Sequence, residues 1–134
     1  MKHDERLLEN NALIVRGAIS DIYFKNEAAY PWFILLPRVP EVTEWMMLDE
    51  PTQQGVMREI QQVSEGLHTQ FQPDKINIAT IGNQVPQLHI HVVGRFTGDP
   101  LWPASIWQPA YEPCAYSEAD WQAQVAALRA YFEG

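Results

Sequence analysis

Two of the chain's four histidines occupy alternate positions of one apolar run, Gln87-Leu88-His89-Ile90-His91-Val92-Val93-Gly94-Arg95. Alternation is the period of a β-strand, in which side chains two residues apart share a face. Gln87, His89 and His91 are therefore expected on one side of a strand, facing outward, with Leu88, Ile90 and Val92 facing inward. Members of the polar row would stand about 7 Å apart. Such a row permits three readings. It is the solvent face of a half-exposed strand, or part of a metal site, or the centre of phosphoryl chemistry. A zinc site would recruit a further His, Cys or carboxylate. The other two histidines are His3, near a terminus expected to be mobile, and His68, inside a helical pattern. No complete ligand set is legible, so neither metal nor other cofactor is expected. The phosphoryl reading uses the most residues. A neutral imidazole attacks phosphorus, a second imidazole or an amide donates to the nonbridging oxygens, and the Arg95 guanidinium supplies positive charge.

Short β-branched and aromatic runs at Asp21–Lys25 and Trp32–Leu36 suit two antiparallel strands joined by a loop, with Pro37 ending the second. Val56, Ile60, Val63, Leu67 and Phe71 then recur at helical spacing, behind Asp49 as N-cap and Pro51 in the first turn. Pro73-Asp74 closes that helix. Ile76–Ile81 reads as a strand, Gly82-Asn83 as a turn, and the histidine run as the next strand. A Pro- and Trp-rich stretch from Thr97 to Pro103 is expected to cross the surface without regular structure. Ser117-Glu118-Ala119-Asp120 resembles a capping box before Trp121, Val125, Leu128 and Phe132, predicting a last helix over about 117–133. The fold class is α+β, an antiparallel sheet with one long helix on a face and a C-terminal helix.

The 134 residues fit a single domain, 1–134, and the 46% apolar and 19% charged fractions are ordinary for a globular protein. The net charge of −8 and the lack of any basic block argue against binding to a nucleic-acid backbone, although a small phosphorylated ligand needs only a few local donors. No apolar run is long enough to span a bilayer and no signal peptide is legible, so no membrane partner and a cytoplasmic location are expected. Cys114 is the only cysteine and reads as a structural or incidental thiol.

The segment Gln87–Val93 resembles the signature of the histidine-triad (HIT) superfamily, His-φ-His-φ-His-φ-φ with φ apolar, except that Gln87 stands in place of the first histidine. The likeness covers roughly residues 20–108. It includes Tyr30–Arg38, Val42-Thr43-Glu44, Asn77 through Gly82-Asn83, and Gly98-Asp99-Pro100 with Trp102-Pro103, as in a bacterial HIT-like hydrolase branch. The resemblance implies about five antiparallel strands, a helix packed on them, and a homodimer. It places His89 as the nucleophile that attacks the α-phosphorus of a nucleotide, giving a nucleotidyl-imidazole that water resolves. His91 would contact phosphate oxygens. Asn26 would approach the ribose, and Asn77 and Asn83 the phosphates, although Asn26 and Asn83 are equally explained as turn residues. Trp32, Trp102 and Trp107 serve either packing or a purine platform. The expected substrate is a small nucleotide with a phosphoanhydride or phosphoramidate bond, as for diadenosine polyphosphate hydrolases or nucleoside phosphoramidases. Nucleotidyl transfer, a nucleotide-binding regulatory module with little catalysis, and a metal-dependent hydrolase are the alternatives. Gln87 belongs to the catalytic row as a hydrogen-bonding member, but an amide exchanges no useful proton near neutral pH.

Overall fold

The computed structural model describes residues 1–133. Strands β1 (Asn11–Arg16), β2 (Ser20–Lys25) and β3 (Trp32–Pro37) lead into helix α1 (Glu50–Phe71), followed by β4 (Lys75–Ala79), β5 (Ile90–Arg95) and helix α2 (Glu118–Glu133). The strands form one antiparallel sheet in the order β1-β2-β3-β5-β4. This is the expected α+β arrangement. Strand β1 carries no clear strand signal in the sequence, because its ladder skips Ile14, pairing Leu13 with Tyr23 and then Val15 with Ile22. Such a bulge breaks the strict period of two on which recognition of a strand depends.

Helix α1 begins and ends where its sequence dictates. The Asp49 carboxylate accepts the Thr52 amide at 2.8 Å, and Gln72 at φ 52° returns its N–H to the His68 carbonyl ahead of Pro73. Val56, Val63 and Leu67 are fully buried. They pack on the sheet face that carries Phe24, Phe33, Leu35 and Val92, joined there by Val125 and Leu128 of α2. Gly94 lets α1 and the loop before β3 come this close. A Cβ there would stand 2.7 Å from Pro31 Cγ and 2.9 Å from Leu67 Cδ2.

The other face carries the histidines, and here the expected outward polar face is corrected. His91 pairs with Ile34, whose other neighbour is Tyr23, so these side chains share that face with Trp32, Leu36 and Val93. Leu7 and Ile106, from segments outside the sheet, cover it. Both faces are thus buried, and the imidazoles lie inside the molecule. The strand is also shorter than expected. β5 starts at Ile90, so Gln87, Leu88 and His89 precede its ladder, and the Leu88 N–H donates to the Val42 carbonyl instead. His3, expected to be mobile, is 7% exposed and packed beneath Gln87.

Candidate active site

His89 is 4% exposed and His91 8%, with ring centroids 4.9 Å apart in an edge-to-face arrangement. A buried imidazole must place both nitrogens, and their partners determine which one carries the proton. His89 Nδ1 lies 2.7 Å from the Gln87 backbone carbonyl. A carbonyl only accepts, so Nδ1 is the protonated nitrogen and Nε2 keeps its lone pair. His91 is the opposite tautomer. The Trp32 indole N–H donates to His91 Nδ1 at 2.9 Å, leaving the proton on Nε2. The pair therefore offers one free lone pair and one N–H donor, an arrangement suited to attack on an electrophile and to holding the oxygen that becomes negative.

Burial, reinforced by the charges of His89 and Lys25, pushes the His91 pKa from 6.5 down to about 3. The unfolded chain, with the ordinary value, takes up this proton first as pH falls. Stability attached to His91 is therefore complete above about pH 6.5 and is lost progressively from there toward pH 3. Urea denaturation at about pH 5 should give roughly 2 kcal/mol less stability from this group than at pH 7, and His91→Gln should remove most of that difference. Equal pH dependence in the two proteins would place the imidazole in a more polar setting.

Both histidines line a cavity of about 570 Å³. Trp32 and Trp107 stand perpendicular with ring centroids 6.0 Å apart, and with Tyr111 they form an aromatic wall. Trp107 and Tyr111 come from the chain after β5, which is held down by a buried acid. Glu27 accepts from the Tyr111 hydroxyl and from the Cys114 amide. Among the expected site residues, His89, His91 and Asn83 reach the cavity. Gln87 contributes its carbonyl from behind.

Three others are not brought there. Asn26 accepts the Tyr116 amide at 2.8 Å, which anchors the same covering segment. Asn77 accepts from Arg95 at 3.2 Å. Arg95, expected to supply charge to a phosphate, is 1% exposed and forked onto Asp99 at 2.8 and 3.0 Å, between the rings of Tyr30 and Trp102. Strand geometry explains the separation. Arg95 shares the face of His91 but stands four residues along the strand, about 13 Å away. The cations that line the cavity are Lys25 and Arg6. Lys25 Nζ sits 4.4 Å from the Trp32 ring centroid, and burial pushes its pKa down while Glu27 opposes the shift. The sequence signal for Lys25 was weak, since period two sets the face of β2 but only the register with β3 and β5 reveals its neighbours. Among the described residues, no group of three or more His, Cys, Asp or Glu side chains is gathered as a metal-ligand set. No helix among them is long and apolar enough to cross a membrane.

An antiparallel sheet thus presents an orientated imidazole pair to an aromatic-walled cavity. The comparisons agree on its kin. Residues 11–98 match the HIT domain family. A histidine triad protein from Bradyrhizobium japonicum superposes with a TM-score of 0.89 at 39% identity, over 96% of this chain and 95% of that one. A histidine triad protein from Marinobacter aquaeolei gives 0.88 at 35%, over 95% and 92%. One from Sinorhizobium meliloti gives 0.88 at 31%, over 95% and 93%. Comparison with curated protein sequences finds no significant match. The chain belongs to the HIT domain family.

Proposed function

We propose that the protein hydrolyses a phosphoanhydride or phosphoramidate bond at the α-phosphate of a nucleotide through a nucleotidyl-His89 intermediate. The observation that carries this reading is the 2.7 Å contact of His89 Nδ1 with the Gln87 carbonyl, which puts the proton on Nδ1 and leaves the Nε2 lone pair on a residue that lines the cavity. Nε2 forms the bond to phosphorus as the leaving group departs with the bonding electron pair. Positive charge then develops on the ring, and the hydrogen bond to the Gln87 carbonyl strengthens. The His91 Nε2–H donates to a nonbridging oxygen, and Lys25 adds positive charge. Water attacks next, releasing the nucleoside monophosphate and returning His89 to its resting form. Transfer to another acceptor would use the same intermediate. Trp32 and Trp107 offer a stacking surface for the base, and Asn83 an amide at the rim.

The test is a panel of adenosine and guanosine phosphoramidates and dinucleoside polyphosphates, with acid-labile nucleotide sought on the quenched protein. Turnover accompanied by a label on His89 is the expected result. Nucleotide binding without turnover across the panel would favour the binding module.

We extend the proposal to a homodimer. Strand β4 ends the sheet, and Ile78 on it is 53% exposed. An open edge bearing an apolar side chain favours pairing with another chain. Sedimentation at micromolar concentration should give twice the 15.4 kDa chain mass. A monomer at that concentration would overturn this assembly and leave the chemistry standing.

A further inference from the structure

The position where the HIT signature has its first histidine is occupied here by an amide, yet an imidazole stands immediately behind it. Gln87 Nε2 lies 2.8 Å from His3 Nδ1, and His3 Nε2 lies 2.8 Å from Asp21 Oδ2. The direction of each bond follows from a third contact. The Asp4 backbone N–H donates to Gln87 Oε1 at 2.7 Å, which settles the orientation of the amide. Its NH₂ must therefore face His3, whose Nδ1 accepts and whose Nε2–H donates to Asp21. Asp21 is a firm acceptor. Burial pushes its carboxyl pKa up, but the hydrogen bonds from His3 and Arg38 and the charges of Arg38 and Arg16 outweigh that, and the net shift is downward. Arg38 and Arg16 in turn reach Asp21 Oδ1 at 2.7 and 3.2 Å. A continuous chain of hydrogen bonds thus runs from the floor of β2 through His3 to the side chain of Gln87.

We infer that His3 is a positioning residue for His89, acting through Gln87. This rests on the proposed nucleophilic role of His89. Residues 87–89 lie before the β5 ladder, so the peptide whose carbonyl orients the nucleophile has one backbone anchor, the Leu88 N–H bond to the Val42 carbonyl, and no sheet ladder. The two ends of the Gln87 side-chain amide add a second anchor, one held by His3 and one by the Asp4 N–H. His3 itself does not line the cavity. It touches neither substrate nor reacting atoms, and the Gln87 carbonyl carries no proton onward, so its contribution is geometry. A histidine is suited to the place because one neutral imidazole both accepts from the amide and donates to the carboxylate. Glutamine can do the same with its own carbonyl and NH₂, whereas alanine does neither.

The experiment uses wild type, His3→Ala and His3→Gln, following kcat and KM on the best substrate of the panel together with the imidazole ¹⁵N spectra. Wild type should show His3 protonated at Nε2 alone and His89 at Nδ1 alone. His3→Ala should lower kcat by about ten- to a hundredfold, as misplacement of a reacting group does, with KM within about twofold. In the same variant the His89 signals should move toward a mixture of tautomers. His3→Gln should recover most of kcat and the single His89 tautomer. Unchanged kcat and spectra in His3→Ala would overturn the inference, as would equal losses in the two variants. If His3→Ala does not fold, the wild-type spectrum and His3→Gln decide, and a His3 ring protonated at Nδ1 would overturn it. Failure of every panel substrate would sink the hydrolase reading alone, because the spectra report on His89 without turnover.

Discussion

His89→Ala should lose at least about a thousandfold in kcat while nucleotide affinity holds within a few-fold. The loss corresponds to about 4 kcal/mol of transition-state stabilisation. The reason for the split is that a nucleophile forms its bond only on the way to the transition state, so removing it leaves ground-state contacts in place. Under the proposed function those contacts would come from other residues that line the cavity, Trp32, Trp107 and Lys25. The fold should survive, because His89 precedes the β5 ladder and its own hydrogen bond goes to the neighbouring Gln87 carbonyl. The measurement is single-turnover kinetics beside equilibrium nucleotide binding and a thermal melt. Near-wild-type turnover would remove His89 from the nucleophile's role. A parallel fall in affinity would show instead that it acts mainly in binding.

Asp99→Ala should have the largest effect on stability, about 3–5 kcal/mol, because it strands a buried guanidinium. Both side chains of the Arg95–Asp99 pair are 2% exposed. Asp99 also accepts from the backbone N–H groups of Phe96, Leu101 and Trp102, so its removal leaves three more donors to be satisfied. Burial pushes its carboxyl pKa up, but the hydrogen bonds from Arg95 and from the Phe96 and Trp102 amides, with the charge of Arg95, outweigh that and lower it. The stability it contributes is therefore present above the usual carboxylate value and is lost as pH falls through the depressed one. The two partners are not equivalent. Arg95→Met leaves the Asp99 carboxylate still held by three amides, and should cost less than Asp99→Ala. Urea denaturation of both variants at neutral pH checks the order. The reverse order would mean that the carboxylate depends on the guanidinium more than on the backbone. Because neither side chain lines the cavity, Arg95→Met should retain turnover when folded. A folded but inactive Arg95→Met would return Arg95 to the phosphate-binding role expected of it from sequence.

Local signals carried the elements whose periodicity is intact. Helix α1 was legible from its cap, its spacing and its stop, since each depends on residues a few positions apart. The same holds for β2, β3, β4 and α2, and for the pairing of His89 with His91 across one intervening residue. Signature recognition then placed that pair in a family. What the sequence could not determine was the other side of each contact. Which cation meets the histidines depends on strand register, and β2, β3 and β5 bring Lys25 there while carrying Arg95 away. Which way the histidines face depends on what covers the sheet, and Leu7, Ile106 and Trp107 come from segments with no regular pattern to announce them. His3 lies 84 residues from Gln87, and Glu27 lies 84 residues from Tyr111. Sequence by itself determined which side chains can act as nucleophile, donor or cap, because those are properties of residue type and short-range spacing. Tertiary structure alone decided the tautomers of His91 and His3, the buried partners and the cation of the site, because hydrogen bonding and desolvation act over a few ångströms of space whatever the distance along the chain.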